Sequence, residues 1–169
     1  GIYEINYFAS IIISIFIFIV TINSYNLIDG IDGLAGGYGI IAMIAFLFLS
    51  LSAKNTIGLI LCITIIGSLS GFLKFNLDSG KRKIFMGDTG SLVVGFLISV
   101  IVLINLSSKN DYSKISNNIP VLVLSILSFP YIDTLRVMFI RKKNRKKFFE
   151  PDKNHIHHKL INAGKSHIS

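Results

Sequence analysis

The chain has 169 residues, of which 51% are apolar and 15% charged, with a formal net charge of +8 and a mean hydropathy of +0.65. An ordinary soluble domain carries about 25% charged residues, so this composition excludes a fully wetted globular surface. The basic residues lie in connections between apolar stretches instead of on one soluble element, which excludes a nucleic-acid-binding module, and the single cysteine, Cys62, excludes a disulfide framework within the chain.

Five windows are free of charge: 5–28, 33–53, 55–73, 89–108 and 115–132. Crossing ~30 Å of hydrocarbon takes about 20 apolar residues at 1.5 Å each. The sequence therefore predicts an all-α, polytopic membrane helix bundle of about five transmembrane helices, over about 7–26, 37–53, 56–73, 91–106 and 119–140, with a tail over 141–169. Alternating the connections places 14 of the 17 Lys and Arg residues on one side, leaving Lys54, Lys109 and Lys114 on the other. By the positive-inside rule the richer side is cytoplasmic, and the basic cluster 141–147 reads as topology and anionic-lipid contact. The opening Gly1-Ile2-Tyr3-Glu4 has no initiating Met and no basic leader, so the chain is expected to begin inside a longer sequence.

The first span leads into Asn23-Ser24-Tyr25-Asn26-Leu27-Ile28-Asp29-Gly30-Ile31-Asp32-Gly33-Leu34-Ala35-Gly36-Gly37. Asn23, Asn26, Asp29 and Asp32 recur every third residue, a spacing that drifts by about 60° per step on a helix. One straight helix cannot aim all four at one point. The expectation is a helix ending near Asp29, a glycine turn that brings Asp32 round, and a second span after Gly37. Cys62, in the third span, is expected to pack.

Before the fourth span stands Lys81-Arg82-Lys83-Ile84-Phe85-Met86-Gly87-Asp88-Thr89-Gly90-Ser91. Glycines and the hydroxyls of Thr89 and Ser91 surround Asp88 at a helix N-terminus, where free N–H groups and the helix dipole favour phosphate oxygens. Asp88 is a natural ligand for Mg²⁺ shared with such phosphates; a plain capping role is the alternative. In the last span Asp133 and Arg136 have the spacing of a structural ion pair. The tail ends with Asp152-Lys153-Asn154-His155-Ile156-His157-His158, whose imidazoles suit contact with a diphosphate at least as well as a metal.

The runs NSYNLIDGIDGLAGG, KIFMGDTGSLVVG, PYIDTLRV and DKNHIHHKL, in this order and spacing, resemble the polyprenyl-phosphate N-acetylhexosamine-1-phosphate transferases, above all the bacterial undecaprenyl-phosphate N-acetylglucosamine-1-phosphate transferases. The related phospho-N-acetylmuramoyl-pentapeptide transferases share the first two runs, while HIHH points to the N-acetylglucosamine branch. The resemblance implies attack by a lipid phosphate on a UDP-sugar, release of UMP, dependence on Mg²⁺ (or Mn²⁺), an inner (plasma) membrane location with a cytoplasmic site, and room for a homodimer. It implies metal-binding roles for Asp88 and Asn26, positions around the uracil for Gly30, Asp32 and Phe85, a functionally important carboxylate at Asp29, and sugar-diphosphate contacts for His155, His157 and His158. Asp29, Asp32 and Asp88 form the expected catalytic set.

Two departures stand out. No Asp-Asp pair occurs, although the family carries one in an earlier cytoplasmic loop, and the family has about twice as many spans. The chain is therefore expected to be a C-terminal half, inactive alone, whose first and last spans present polar inner faces to upstream helices. Lys147-Phe148-Phe149 also replaces a Ser-Pro-Phe-like run. The competing class is a transporter fragment, but transport sites lie near the midplane on broken helices, whereas these polar motifs sit at helix ends.

Overall fold

The computed structural model describes residues 6–106 and 118–143; the histidine segment lies outside the described residues. It consists of α1 (Tyr7–Ile28), α2 (Leu34–Ser52), α3 (Thr56–Asn76), α4 (Gly87–Leu106), α5 (Ile119–Ile126) and α6 (Ser128–Lys143). There is no strand among the described residues. Helices α1 to α4 are each long and apolar enough to cross a membrane, and α5 with α6 adds a fifth span if the bent pair is one crossing. This is the all-α membrane bundle expected from the charge-free windows.

Backbone chemistry sets the ends. Asn6 caps α1 by accepting from Phe8 N at 3.1 Å. Asp29 closes α1, and Gly33, at φ +78°, starts α2 in a left-handed conformation that only glycine adopts without strain. Gly36 and Gly37, expected in the connection, lie inside α2 instead. Gly36 serves packing, because a Cβ there would meet Leu73 Cδ2 at 2.8 Å where α2 presses on α3. At the far end Lys54 turns the chain at φ 52°, and Asn55 caps α3 through Gly58 N at 3.0 Å.

The core is a layer of Tyr25, Phe46, Met43, Cys62, Ile98, Ile101 and neighbours between the helices. Much of α1 is apolar and exposed, including Phe8, Ile12 and Phe16, as suits a face turned to lipid or to further helices. The first and last spans share a polar contact. Thr21, Ser24 and Asp133 are buried, and Thr21 Oγ1 lies 2.6 Å from Tyr131 Oη, which joins α1 to α6. Asp133 accepts from Arg136 Nη2 at 2.9 Å, the expected ion pair.

The last span bends by 67° between α5 and α6. Pro130 explains the break: it has no N–H to donate to the carbonyl four residues back, and its ring clashes there. That carbonyl belongs to Ile126, and it accepts from Tyr38 Oη of α2 at 2.9 Å. A backbone acceptor freed in an apolar layer is thus satisfied by a neighbouring helix. Tyr38→Phe is expected to cost about 1 kcal/mol of stability, and less in a Pro130→Ala background, where an N–H can again reach Ile126. Thermal midpoints of the four proteins in detergent check this; equal losses in both backgrounds would contradict it.

Candidate functional site

Residues at the ends of α1, α3 and α4 stitch two connections, 29–33 and 77–86, into one polar face. From the last turn of α1, Asn26 Nδ2 donates to Ser91 Oγ at 2.7 Å and reaches Asp88 Oδ1 at 3.3 Å. One residue past the helix, Asp29 stands beside the backbone N–H of Gly87, the first residue of α4. Asp32 is held by Lys83 Nζ at 2.5 Å. Buried Asn76, at the end of α3, accepts from Gly33 N at 2.6 Å and donates to Ile84 O at 2.9 Å. The chain turns after Asp29 instead of continuing the helix, and Asp29 stands close enough to both Asp32 and Asp88 to feel their charges.

Asn23 is the member of the three-residue series that does not join: it donates to its own helix at Ile19 O and is exposed. Ser91 is a second correction. Its hydroxyl, expected to face a phosphate, is fully buried and donates back to Gly87 O at 3.0 Å while accepting from Asn26. Ser91 therefore fixes the start of α4 and the angle of Asn26. Gly30 lies in the turn, its N–H donating to Ile28 O at 3.0 Å, and Phe85 stands 74% exposed beside Lys83. His155, His157 and His158 lie outside the described residues.

Asp29 is the carboxylate whose charge its surroundings oppose. Burial pushes the Asp29 carboxyl above its ordinary value, the charges of Asp88 and Asp32 push it further, and the Gly87 N–H acts in the opposite direction. A carboxyl raised in the folded state disfavours folding once pH passes the unfolded value of about 3.9, because the unfolded chain then ionises first. Asp29→Asn should therefore raise the thermal midpoint at neutral pH in magnesium-free buffer, with the gain vanishing as pH falls below that value. A gain unchanged at acid pH would contradict burial and carboxylate repulsion as its cause.

Asp88 offers a hard carboxylate oxygen, exposed at the start of α4, with the Asn26 amide beside it through Nδ2, and no group of three His, Cys, Asp or Glu side chains that could hold a metal occurs among the described residues. The donor set fits Mg²⁺, which usually takes one or two carboxylates and completes its shell with substrate oxygens and water. It does not fit a closed structural zinc centre.

Sequence reasoning missed Asn76 and Lys83. Asn76 carried a weak signal, an amide closing an apolar span; Lys83 was hidden in a basic run. Asn76→Leu leaves the Gly33 N–H and the Ile84 carbonyl without their partner, at about 1–3 kcal/mol for each buried group. The expected result is faster proteolysis within 77–86 and a lower thermal midpoint; wild-type values for both would remove the clamp.

A family model described as Glycosyl transferase family 4 matches residues 1–106. The probable undecaprenyl-phosphate N-acetylglucosaminyl 1-phosphate transferase of Bacillus subtilis (strain 168) is 39% identical over 145 residues, covering 86% of this chain and 38% of that protein. The undecaprenyl-phosphate alpha-N-acetylglucosaminyl 1-phosphate transferase of Escherichia coli (strain K12) is 35% identical over 145 residues, 85% of this chain and 38% of that protein. The decaprenyl-phosphate N-acetylglucosaminephosphotransferase of Mycobacterium tuberculosis (strain ATCC 25618 / H37Rv) is 28% identical over 179 residues, 94% of this chain and 42% of that protein. The chain thus spans about two fifths of the length of these relatives. No solved structure matches. With the family model covering the first four membrane helices and both connections of the polar face, the chain belongs to glycosyl transferase family 4.

Proposed function

We propose that this chain forms the donor-binding part of a membrane enzyme that transfers N-acetylglucosamine-1-phosphate from a UDP-sugar to undecaprenyl phosphate, initiating a cell-envelope glycan. The observation that carries the reading is that helix ends bring Asn26 of α1 within 3.3 Å of Asp88 in the first turn of α4, with Asp29 near both Asp88 and Asp32. A coupled set of carboxylates beside an exposed aromatic ring suits a nucleotide diphosphate brought in with a divalent cation. The relatives' names supply the sugar and the lipid.

In the proposed reaction a phosphate oxygen of the lipid attacks the β-phosphorus of the donor. The bond from that phosphorus to the bridging oxygen breaks, and UMP leaves with the bridging oxygen. Mg²⁺, or Mn²⁺ in its place, would be held by Asp88 and Asn26 and would neutralise diphosphate charge. Phosphoryl transfer depends mainly on positioning and charge neutralisation. Asp29, Asp32 and Asp88 would fix the reactants, Gly30, Asp32 and Phe85 would surround the uracil, and His155, His157 and His158 would reach the sugar diphosphate. The basic excess on the same side supports a cytoplasmic orientation of this face at the inner membrane. The 169 residues alone, without an Asp-Asp pair, would not turn over.

The test is an assay on a full-length protein carrying this segment. With UDP-N-acetylglucosamine, undecaprenyl phosphate and Mg²⁺, UMP should appear, and omission of the lipid should stop it. UMP released only with UDP-N-acetylmuramoyl-pentapeptide would assign the other branch; lipid-independent release would remove the transferase reading.

A further inference from the structure

Lys83 touches two residues that the proposed reaction needs. Its Nζ lies 2.5 Å from Asp32 Oδ2 and 5.2 Å from the centroid of the Phe85 ring. The Asp32 side chain is 4% exposed and that of Lys83 24%. With one carboxylate so enclosed, the pair differs from a surface ion pair: losing the cation would leave a buried charge without its partner. Phe85 is in the opposite situation, since most of its ring is open, and the ammonium is a restraint that packing does not supply. The backbone around Lys83 is itself held. Lys83 N donates to Gly80 O at 3.3 Å, Ile84 N to Phe75 O at 3.4 Å, and Asn76 holds the Ile84 carbonyl.

We propose that Lys83 is a positioning residue for the UDP-sugar, its one ammonium fixing both the Asp32 carboxylate and the Phe85 ring where they receive the nucleoside end of the donor; this rests on the transferase reading above. Uracil offers an imide N–H to a carboxylate and a flat face to an aromatic ring. A carboxylate and a ring held by one cation recognise both features together. Lys83 also offsets one of three neighbouring negative charges before an anionic donor arrives. It does not touch the reacting phosphorus in the proposed reaction, so its effect belongs to donor binding more than to turnover.

The experiment varies UDP-N-acetylglucosamine at saturating undecaprenyl phosphate and Mg²⁺ in a full-length protein carrying this segment. Lys83→Met keeps length and removes the cation. It should raise the donor KM by about tenfold or more while kcat changes by less than about threefold, the pattern of lost binding common to ground and transition states. Lys83→Arg should recover most of the KM, because a guanidinium can pair with the carboxylate and stack on the ring. Unchanged donor KM in Lys83→Met, or a loss confined to kcat, would overturn the proposal. So would failure of Lys83→Arg to improve on Lys83→Met at a wild-type thermal midpoint. Should Lys83→Met not accumulate, the double variant Asp32→Asn, Lys83→Met leaves no buried charge unpaired and is compared with Asp32→Asn alone, in which Lys83 can still hold the Phe85 ring. A donor KM higher in the double variant than in Asp32→Asn supports the proposal, and equal values overturn it. If the unmodified protein releases no UMP at all, the transferase reading fails, which this design separates from failure of the Lys83 role.

Discussion

Asp88→Asn in a full-length protein carrying this segment should lower UMP release by at least about 10²-fold, the scale seen when a fixed electrostatic partner of a transition state is removed. The substitution keeps the side chain's shape and removes a negative charge at an exposed site. Its structural cost is limited: a carboxylate in the first turn of a helix contributes about 0.3–1 kcal/mol, and the Asn26–Ser91 contact at 2.7 Å does not depend on it. Activity should therefore collapse while the thermal midpoint moves little. A loss of no more than about threefold, far below that expected for a metal ligand, would take Asp88 out of the proposed metal site.

The opposite signature is expected from Gly95→Val. A Cβ at Gly95 would stand 3.0 Å from Ile22 Cα and 3.3 Å from Ile22 O. Both neighbours are backbone, so no rotamer change relieves the contact and α4 must move away from α1. Overpacking of this kind costs about 1–3 kcal/mol. The same two helices carry Asn26 on one side and Asp88 with Ser91 on the other. Stability and activity should thus fall together. Gly67→Ala, inside α3, is the control, since a Cβ there meets nothing within 4 Å; it should leave activity unchanged and stability unchanged or higher by up to about 1 kcal/mol. Equal behaviour of the two variants would mean that the close approach of α1 and α4 does not position the site.

The spans were legible because lipid imposes a one-dimensional rule, about 20 apolar residues without charge. The turn at Asp29 was legible too, since four polar residues at a three-residue spacing cannot share one helix face. The break near Leu127 was hidden, although Pro130 is its cause, because an unbroken charge-free window says nothing of bending. Gly36 was misread for a general reason. A glycine that permits a turn and one that admits a neighbouring helix look alike in sequence, and only the 2.8 Å approach to Leu73 separates them. The pairing of Asn26 with Ser91 and of Asn76 with Gly33 and Ile84 joins residues 65, 43 and 8 positions apart. Such contacts follow from how helices pack, which local periodicity does not encode. The meeting of the Thr21 and Tyr131 hydroxyls at 2.6 Å, 110 positions apart, is a pairing of the same kind.

In the proposed reaction the paired connections 29–33 and 77–86 hold a UDP-sugar so that its β-phosphorus is the atom transferred. UDP-N-acetylglucosamine labelled at the β-phosphate tests this most directly, with undecaprenyl phosphate and Mg²⁺ supplied to a full-length protein carrying this segment. The label should move into the lipid product in step with UMP release, and Asp32→Ala and Asp88→Asn should each abolish both. Label retained on a released nucleotide diphosphate, with unlabelled sugar on the lipid, would mean transfer at the sugar carbon and would contradict the claim.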